Sequence, residues 1–444
     1  MKQIAFEDPV APSLKEAFWY WLKLGFISFG GPAGQIAIMH QDLVEDKRWI
    51  SEKRFLHALN YCMVLPGPEA QQLATYIGWL IHKTRGGLIA GGLFVLPSLL
   101  ILMALSYIYM RFGDLPSVAG VLYGIKPAVV AIVLFAAYRI GTRALKNSAL
   151  WGIAFASFIA ITQFKISFPW IVLAAACIGF LVNRYRPTLF AGAAGHKAVD
   201  KHYGTAVIDD DTPTPAHAKF NIKTLVKFVV IGVAIWIAAM LLLLLCYGWD
   251  AIYTQMAWFF TKAALLTFGG AYAVLPYVYQ GAVEHYAWLT PAQMMDGLAL
   301  GETTPGPLIM VVAFVGFVGG WSHEIVQNPL VAGIIAACIV TFFTFLPSFI
   351  FIFVGAPFIE STQNNLKFTA PLTAITAAVV GVIVSLALFF VQHIVWPHGL
   401  QGNIDEAAGA AILAACFILF KFKANIMLLI AAFAVLGLLH HALV

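Results

Sequence analysis

The sequence predicts an all-α integral membrane protein with about 13 membrane segments, arranged as two homologous halves in an inverted repeat. Three observations predict it: an apolar composition, long apolar stretches recurring along the chain, and two motifs that return at one fixed offset. Of 444 residues, 61% are hydrophobic and only 11% are charged. Soluble domains run about 45–50% apolar and about 25% charged, so most of this chain belongs in lipid.

Composition also excludes several classes. Five scattered cysteines (Cys62, Cys177, Cys246, Cys338, Cys416) form no CxxC pair, and no HExxH occurs among the 12 histidines, so no metal or other cofactor is expected. Paired catalytic acids, a nucleophile elbow and a nucleotide loop are absent from the sequence, which argues against an enzyme. A formal net charge of +5, with no Lys/Arg run interleaved with aromatics, gives no nucleic-acid signal. The opening MKQIAFEDPVAPSLKEAFWYW has acids and a proline before its first apolar run and reads as a cytoplasmic amphipathic lead-in.

The segments follow in order. Stretches 17–41 and 55–81 are apolar but interrupted, at FGGP and at PGP. Stretches 87–112 and 117–140 are long enough to span a hydrocarbon core of about 30 Å, and 148–163 and 168–183 lie near the lower limit. A polar linker, 184–222, precedes the apolar run 223–248. Stretches 256–280 and 293–320 are again interrupted, at FGG and at PGP, and 329–357, 370–392, 404–420 and 425–442 complete the set. The expected divisions are an N-terminal repeat (1–185), a cytoplasmic linker (186–222), a linking helix (223–248) and a C-terminal repeat (249–444).

The duplication is read from one number. Pro66-Gly67-Pro68 returns as Pro305-Gly306-Pro307, and 305 − 66 = 239. The same offset relates Phe29-Gly30-Gly31 to Phe268-Gly269-Gly270, Lys23 to Lys262, Gln41 to Gln280, Glu45 to Glu284 and Trp49 to Trp288. Leu96-Pro97-Ser98 returns as Leu346-Pro347-Ser348 after an insertion near WSHEIVQNP. With each interrupted stretch counted as one crossing, Lys83/Arg85, Arg139/Arg143/Lys146, the linker, Lys367 and Lys421/Lys423 fall on one side. The positive-inside rule then places the N-terminus and linker in the cytoplasm and the C-terminus outside. Six crossings per copy plus one linking helix turn the second copy upside down. If the two interrupted stretches of each copy are re-entrant, each copy loses two crossings and the inversion survives.

The interruptions carry the functional signal. Irregular backbone at membrane depth is tolerated only inside protein or along a wet cavity. A packing kink explains one PGP as readily as a site does; four breaks related by a repeat favour discontinuous helices whose fresh N-termini meet near the midplane. Such termini attract anions. The candidate substrate-binding residues are therefore Gly30, Gly31, Pro66, Gly67, Pro68, Gln71, Gly269, Gly270, Pro305, Gly306 and Pro307, with Lys23, Lys262 and Lys126 as cations. Lys23 and Lys262 equally suit snorkelling to the interface, whereas Lys126 sits deeper in its segment. Arg139 and Arg143, one turn apart at a cytoplasmic helix end, are explained by topology. Gln72, Thr75, Thr303, Thr304, Ser28 and Thr267 are candidate neutral donors. Glu69 follows the first PGP and Glu302 precedes the second by three residues; either carboxylate could carry a coupling proton, and Glu69 could instead cap its half-helix.

SFGGPAGQIA, LPGPEAQQ, LTFGGAYAVLP and TTPGPLIMVVAFVG resemble the chromate ion transporter family in its long two-domain form, over about residues 15–440. The resemblance implies chromate efflux driven by the proton-motive force through two halves of opposite orientation. It implies site roles for Phe29, Gly30, Gly31 and Pro32, for Pro66 to Pro68, for Phe268 to Gly270 and for Pro305 to Pro307. The resemblance implies a histidine shortly after each FGG, as in many members of the family, where this chain has Gln35 and Tyr272.

The expected function is secondary active export of an oxyanion, chromate first and sulfate-like anions next. The alternative is a passive anion channel on the same scaffold. Expected partners are the oxyanion, protons, the inner-membrane lipid bilayer and, for assembly, a second copy in a homodimer.

Overall fold

A computed structural model describes residues 9–29, 31–185, 203–268, 270–323, 325–361, 369–397 and 402–443. Gly30, Gly269 and Lys367 lie outside the described residues, as does 186–202 of the linker. The described chain is helical, without a named β-strand, and seven of its helices are long and apolar enough to cross a membrane.

The first half runs α1 (Leu14–Ile27), α2 (Gly31–His40), a π-helical turn (Gln41–Asp46), α3 (Glu52–Cys62), α4 (Glu69–Phe112), α5 (Pro116–Ala144), α6 (Ser148–Thr162) and α7 (Phe168–Tyr185). After the linker comes α8 (Ile222–Tyr247), then α9 (Ile252–Leu266), α10 (Ala271–Tyr279), a second π turn (Gln280–His285) and α11 (Pro291–Thr303). A 3₁₀ turn (Leu308–Met310) leads into α12 (Val311–Ser322), α13 (Pro329–Ser361), α14 (Thr369–Val395), α15 (Glu406–Phe417) and α16 (Ile426–Leu443). The predicted interruptions at FGG and PGP are thus the observed gaps α1/α2, α3/α4, α9/α10 and α11/α12.

Backbone geometry follows the sequence offset. Positive φ occurs at Gly31 and Gly270, at Arg48 and Ala287, and at Gly67 and Gly306, each pair 239 residues apart. The two π turns stand at the same offset.

Helix α4 is two helices folded on each other. Its backbone leaves helical geometry at His82 and Lys83, where Lys83 has φ 55°. The limbs 69–81 and 84–112 then lie antiparallel, so closely that a Cβ on Gly91 would fall 2.7 Å from Gln71 Nε2. Helices α12 and α13 make the same hairpin, with Gly316 under the Ala336 carbonyl. Lipid supplies no hydrophobic drive between helices, and small residues permit the close backbone approach that dispersion requires. Several helix starts carry side-chain caps: Ser13, Ser51, Asn147, Asn221, Thr290 and Asp405 each accept a backbone N–H of the first turn.

Contacts between elements identify which ends lie together. His82 reaches the Pro12 carbonyl at 2.9 Å, so the start of α1 sits beside the turn of α4. Residues 203–218, read from sequence as a plain polar linker, instead dock on the first half. Ser51 N–H donates to Ile208 O at 3.0 Å, Val207 N–H donates to Arg48 O at 2.9 Å, and Ile208 is buried. Arg54 holds Thr212 O at 2.6 Å and Glu360 at 3.2 Å, tying this strap to the end of α13. His217 bonds the Trp79 carbonyl at 3.0 Å and packs edge-on against its ring; burial holds its pKa below the ordinary histidine value. The reason is local: 203–218 supplies one extended rung and side-chain contacts at Asp210, Thr212 and His217, enough to hold a segment that composition marks as loop.

Candidate functional site

Two irregular turns from different halves meet at the buried centre. The Gly67 N–H donates to the Thr267 carbonyl at 2.7 Å, and the Gly306 N–H donates to the Ser28 carbonyl at 2.8 Å. Each PGP is therefore bonded to the residue just before the other half's FGG. Helices α1 and α9 end there and leave carbonyls unpaired, while PGP leaves amides unpaired; the exchange satisfies both in a place that water does not reach freely. Glycine is required at these two positions. Gly67 has φ +127° and Gly306 φ +101°. A Cβ on Gly67 would stand 2.5 Å from Ser348 Oγ, and one on Gly306 2.7 Å from Ser98 Cβ. Ser98 and Ser348, noted in the sequence only as markers of the repeat, are seated against the opposite half's PGP. Their recurrence as polar residues inside apolar helices was the signal available for finding them.

Gln35 secures one side of the crossing. Its Nε2 donates to Gly306 O at 2.6 Å and to Ser28 O at 3.3 Å. Gln72 Nε2 donates to Pro66 O at 2.8 Å, and Gln71 Nε2 to Thr75 Oγ1 at 3.0 Å. With the amide nitrogens so committed, the Oε1 atoms of Gln35, Gln71 and Gln72, and the hydroxyls of Ser28, Ser98 and Ser348, are buried without a protein hydrogen-bond partner. The threonines behave differently from expectation. Thr75, Thr267, Thr303 and Thr304 each donate to a carbonyl three or four residues back, so their protons are spent on their own helices.

The helix starts at the breaks lack capping side chains: none serves α4 at Pro68, α10 at Gly270 or the 3₁₀ turn at Pro307. Leu115 and Ala251, at the starts of α5 and α9, share that trait. Glu69 is half-buried at the first turn of α4 and lies within electrostatic reach of Arg143. Glu302 is also half-buried; its Oε1 accepts from Tyr272 at 2.7 Å, and Tyr272 lies within reach of Arg139. The α5 arginines, which topology alone accounts for in the sequence, thus lie within reach of Glu69 and of the tyrosine that holds Glu302. Gln35 and Tyr272, each a few residues after an FGG, both take part: Gln35 bonds the crossing and Tyr272 holds Glu302.

The three lysines are not brought together. Lys23 is exposed on α1. Lys262 lies with Nζ 5.6 Å from the Trp258 ring centroid. Lys126, the deepest by sequence, is not a free cation: its Nζ is 3.2 Å from Asp296 Oδ1. Asp296 is 3% exposed and its Oδ2 accepts from Tyr109 at 3.0 Å. Asp296 is not legible as a site residue in the sequence, because its partners are 170 and 187 residues away. Among the described residues no group of three or more His, Cys, Asp and Glu could hold a metal.

Comparisons agree with the motifs. The profile of the family described as "Chromate transporter" matches residues 15–180 and 254–438. The chain is 30% identical over 435 residues to a chromate transport protein of Cupriavidus metallidurans, covering 97% of this chain and 95% of that one. It is 33% identical over 436 residues to a chromate transport protein of Pseudomonas aeruginosa, covering 97% and 93%. A probable chromate transport protein of Synechococcus elongatus is 31% identical over 374 residues, covering 84% and 83%. No solved structure matches the chain significantly. With both halves matched and the paired motifs interlocked at the centre, the chain belongs to the chromate transporter family.

Proposed function

We propose that the chain is a secondary active transporter that exports an inorganic oxyanion from the cell across the plasma membrane, chromate first and sulfate-like dianions next, using the proton-motive force. The observation that carries this reading is the reciprocal PGP–FGG exchange, which draws helix starts without capping side chains from both halves to one buried centre. Open amides and positive dipole ends favour an anion there. The buried hydroxyls of Ser28, Ser98 and Ser348 are further donors within that polar centre. The names of the relatives supply the choice of chromate.

The scaffold we propose is an inverted repeat, with 1–185 and 249–444 as its halves and 223–248 as the linking helix. The interrupted stretches are re-entrant: the start of α1, the loop 47–51 and the turn of α4 gather with the strap at one face, supported by the Pro12, Ile208 and Trp79 contacts. Nine full crossings remain, with the N-terminus cytoplasmic and the C-terminus outside.

Energetics favour export. Moving one charge through 100 mV is worth about 2.3 kcal/mol, so a dianion leaving an inside-negative cell gains about 4.6 kcal/mol from the electrical term. Glu69 and Glu302 then add proton coupling rather than supply the whole drive. The test is uptake of labelled chromate into inside-out vesicles, with sulfate as competitor and an imposed pH gradient. Uptake that sulfate reduces is expected, with its pH dependence lost in the Glu69→Gln/Glu302→Gln variant. No uptake of either anion overturns the proposal; flux unchanged in the double variant and blind to pH moves it to a passive anion channel.

A further inference from the structure

Away from the crossing, a cavity of about 740 Å³ opens between the end of α4, the start of α5, α11 and the C-terminal end of α16. Three carboxylates line it, Asp114, Asp296 and Asp405, against one ammonium, Lys126, and two histidines, His440 and His441. Two of the acids are held in place: Tyr109 donates to Asp296, and Tyr123 donates to both oxygens of Asp405 at 2.9 Å. His440 stacks on the Tyr123 ring, with centroids 5.2 Å apart.

We infer that this cavity is an outer oxyanion site in which Asp296 masks Lys126, and that outer acid unmasks it. The inference rests on the proposed orientation and on an oxyanion being the cargo. With its three acids ionised against one lysine, the cavity is negative on balance, the Lys126 charge is spent on Asp296, and a departing dianion is expelled. Protonating Asp296 frees the lysine and removes one of the three negative charges that line the cavity. Potentials of this kind act over a cavity this size, and the low-dielectric wall behind Asp296 sharpens them.

The groups facing Asp296 can be named element by element. Helix α5 brings Lys126 and Tyr123, α4 brings Tyr109 with Asp114 just beyond it, and α16 brings His440 and His441. Asp405 stands at the start of α15, and Gln293 is the neutral neighbour on α11 itself. The 308–310 turn and α12 carry no titratable side chain, and α14 carries only His393, turned to the Phe389 carbonyl at 3.0 Å. Functionally, an acid outer face would hold the released anion and slow net export.

The test places a thiol in the cavity with Ala119→Cys, a lining residue, and compares labelling with the parent chain in proteoliposomes. Anionic and cationic membrane-impermeant thiol reagents are applied to the outer face at pH 7.5 and 5.5. The ratio of anionic to cationic rates should rise about tenfold on acidification. Asp296→Asn should raise the ratio at pH 7.5 and remove most of its pH dependence; Lys126→Met should lower it at both pH values. The Lys126→Met/Asp296→Asn pair leaves no unpaired buried charge and should keep the parent's melting temperature. A ratio insensitive to pH, or Asp296→Asn indistinguishable from parent, overturns the inference. A ratio that flips while vesicles move neither chromate nor sulfate leaves this site standing and removes the transport reading instead.

Discussion

At Gly67 and at Gly306 the backbone does the same thing with different neighbours. Both glycines take positive φ, both donate to the residue before the other half's FGG, and both press on a serine from the other half's Leu-Pro-Ser. Around Gly67 stand Gln71, Gln72 and Glu69; beside Gly306 stand Gln35, Thr304 and, one turn back, Glu302 with Tyr272. The cross-half contacts farther out differ in the same way. Arg54 of α3 pairs with Glu360 and Tyr76 also bonds that carboxylate, while Asp296 of α11 pairs with Lys126 and Tyr109. Duplication preserved what the backbone needs, since unpaired peptide groups are costly wherever they are buried. Side chains carry no such backbone obligation, so they were free to diverge.

The most forceful test of this comparison is Gly67→Ala beside Gly306→Ala. Each adds a Cβ in a left-handed conformation, about 1–2 kcal/mol, and crowds a serine or glutamine, about 1–3 kcal/mol. Each should lose about 3 kcal/mol, read as a large fall in detergent melting temperature. Losses that differ by more than about twofold would show that the two crossings are not equivalent.

Next in size, Glu360→Gln strips the countercharge from mostly buried Arg54, and Lys126→Met strips it from buried Asp296. A fully buried pair loses up to about 3–5 kcal/mol when broken, but Arg54 is 15% and Lys126 24% exposed, so both losses should fall below the glycine effect. Arg54 keeps Thr212 O, whereas Asp296 keeps only a neutral phenol. Chemical denaturation should therefore find Lys126→Met the more damaging; the reverse order would mean that the strap contact contributes little.

Gln35→Ala removes two bonds from the Gly306 side alone and should cost about 1–3 kcal/mol. Val274, its counterpart at the 239 offset, makes no such bond, so Val274→Ala should show only the cavity cost of two lost methyls, about 0.5–1.5 kcal/mol each. Gln35→Met, which nearly keeps the volume and drops both bonds, should stay destabilised; parent stability in that variant would deny Gln35 its role.

The smallest effect concerns the strap, which only the first half owns. Burial lowers the His217 pKa, so the folded state binds fewer protons there than the unfolded chain. That contribution is complete above the ordinary histidine value near about 6.5 and is lost as pH falls through the lower folded value. Limited proteolysis within 203–218 should accelerate on acidification, and His217→Gln should flatten the response. A wild-type rate independent of pH would remove His217 from the strap's hold.

The sequence by itself determined the membrane class, the four breaks and the duplication, because each is written in local composition or at a constant spacing. Pro-Gly-Pro stops a helix wherever it lies, and an offset of 239 needs no folding to be seen. The tertiary structure alone decided what the breaks bond to. Thr267 and Ser28 are 200 and 278 residues from their partners, and nothing in either segment names the other. It likewise cancelled the Lys126 charge with Asp296, turned the threonine protons back onto their helices, and drew part of the linker onto Trp79 and Ser51. Each of those outcomes depends on which groups are left unsatisfied once helices pack, and that is settled only when distant segments compete for the same few donors and acceptors.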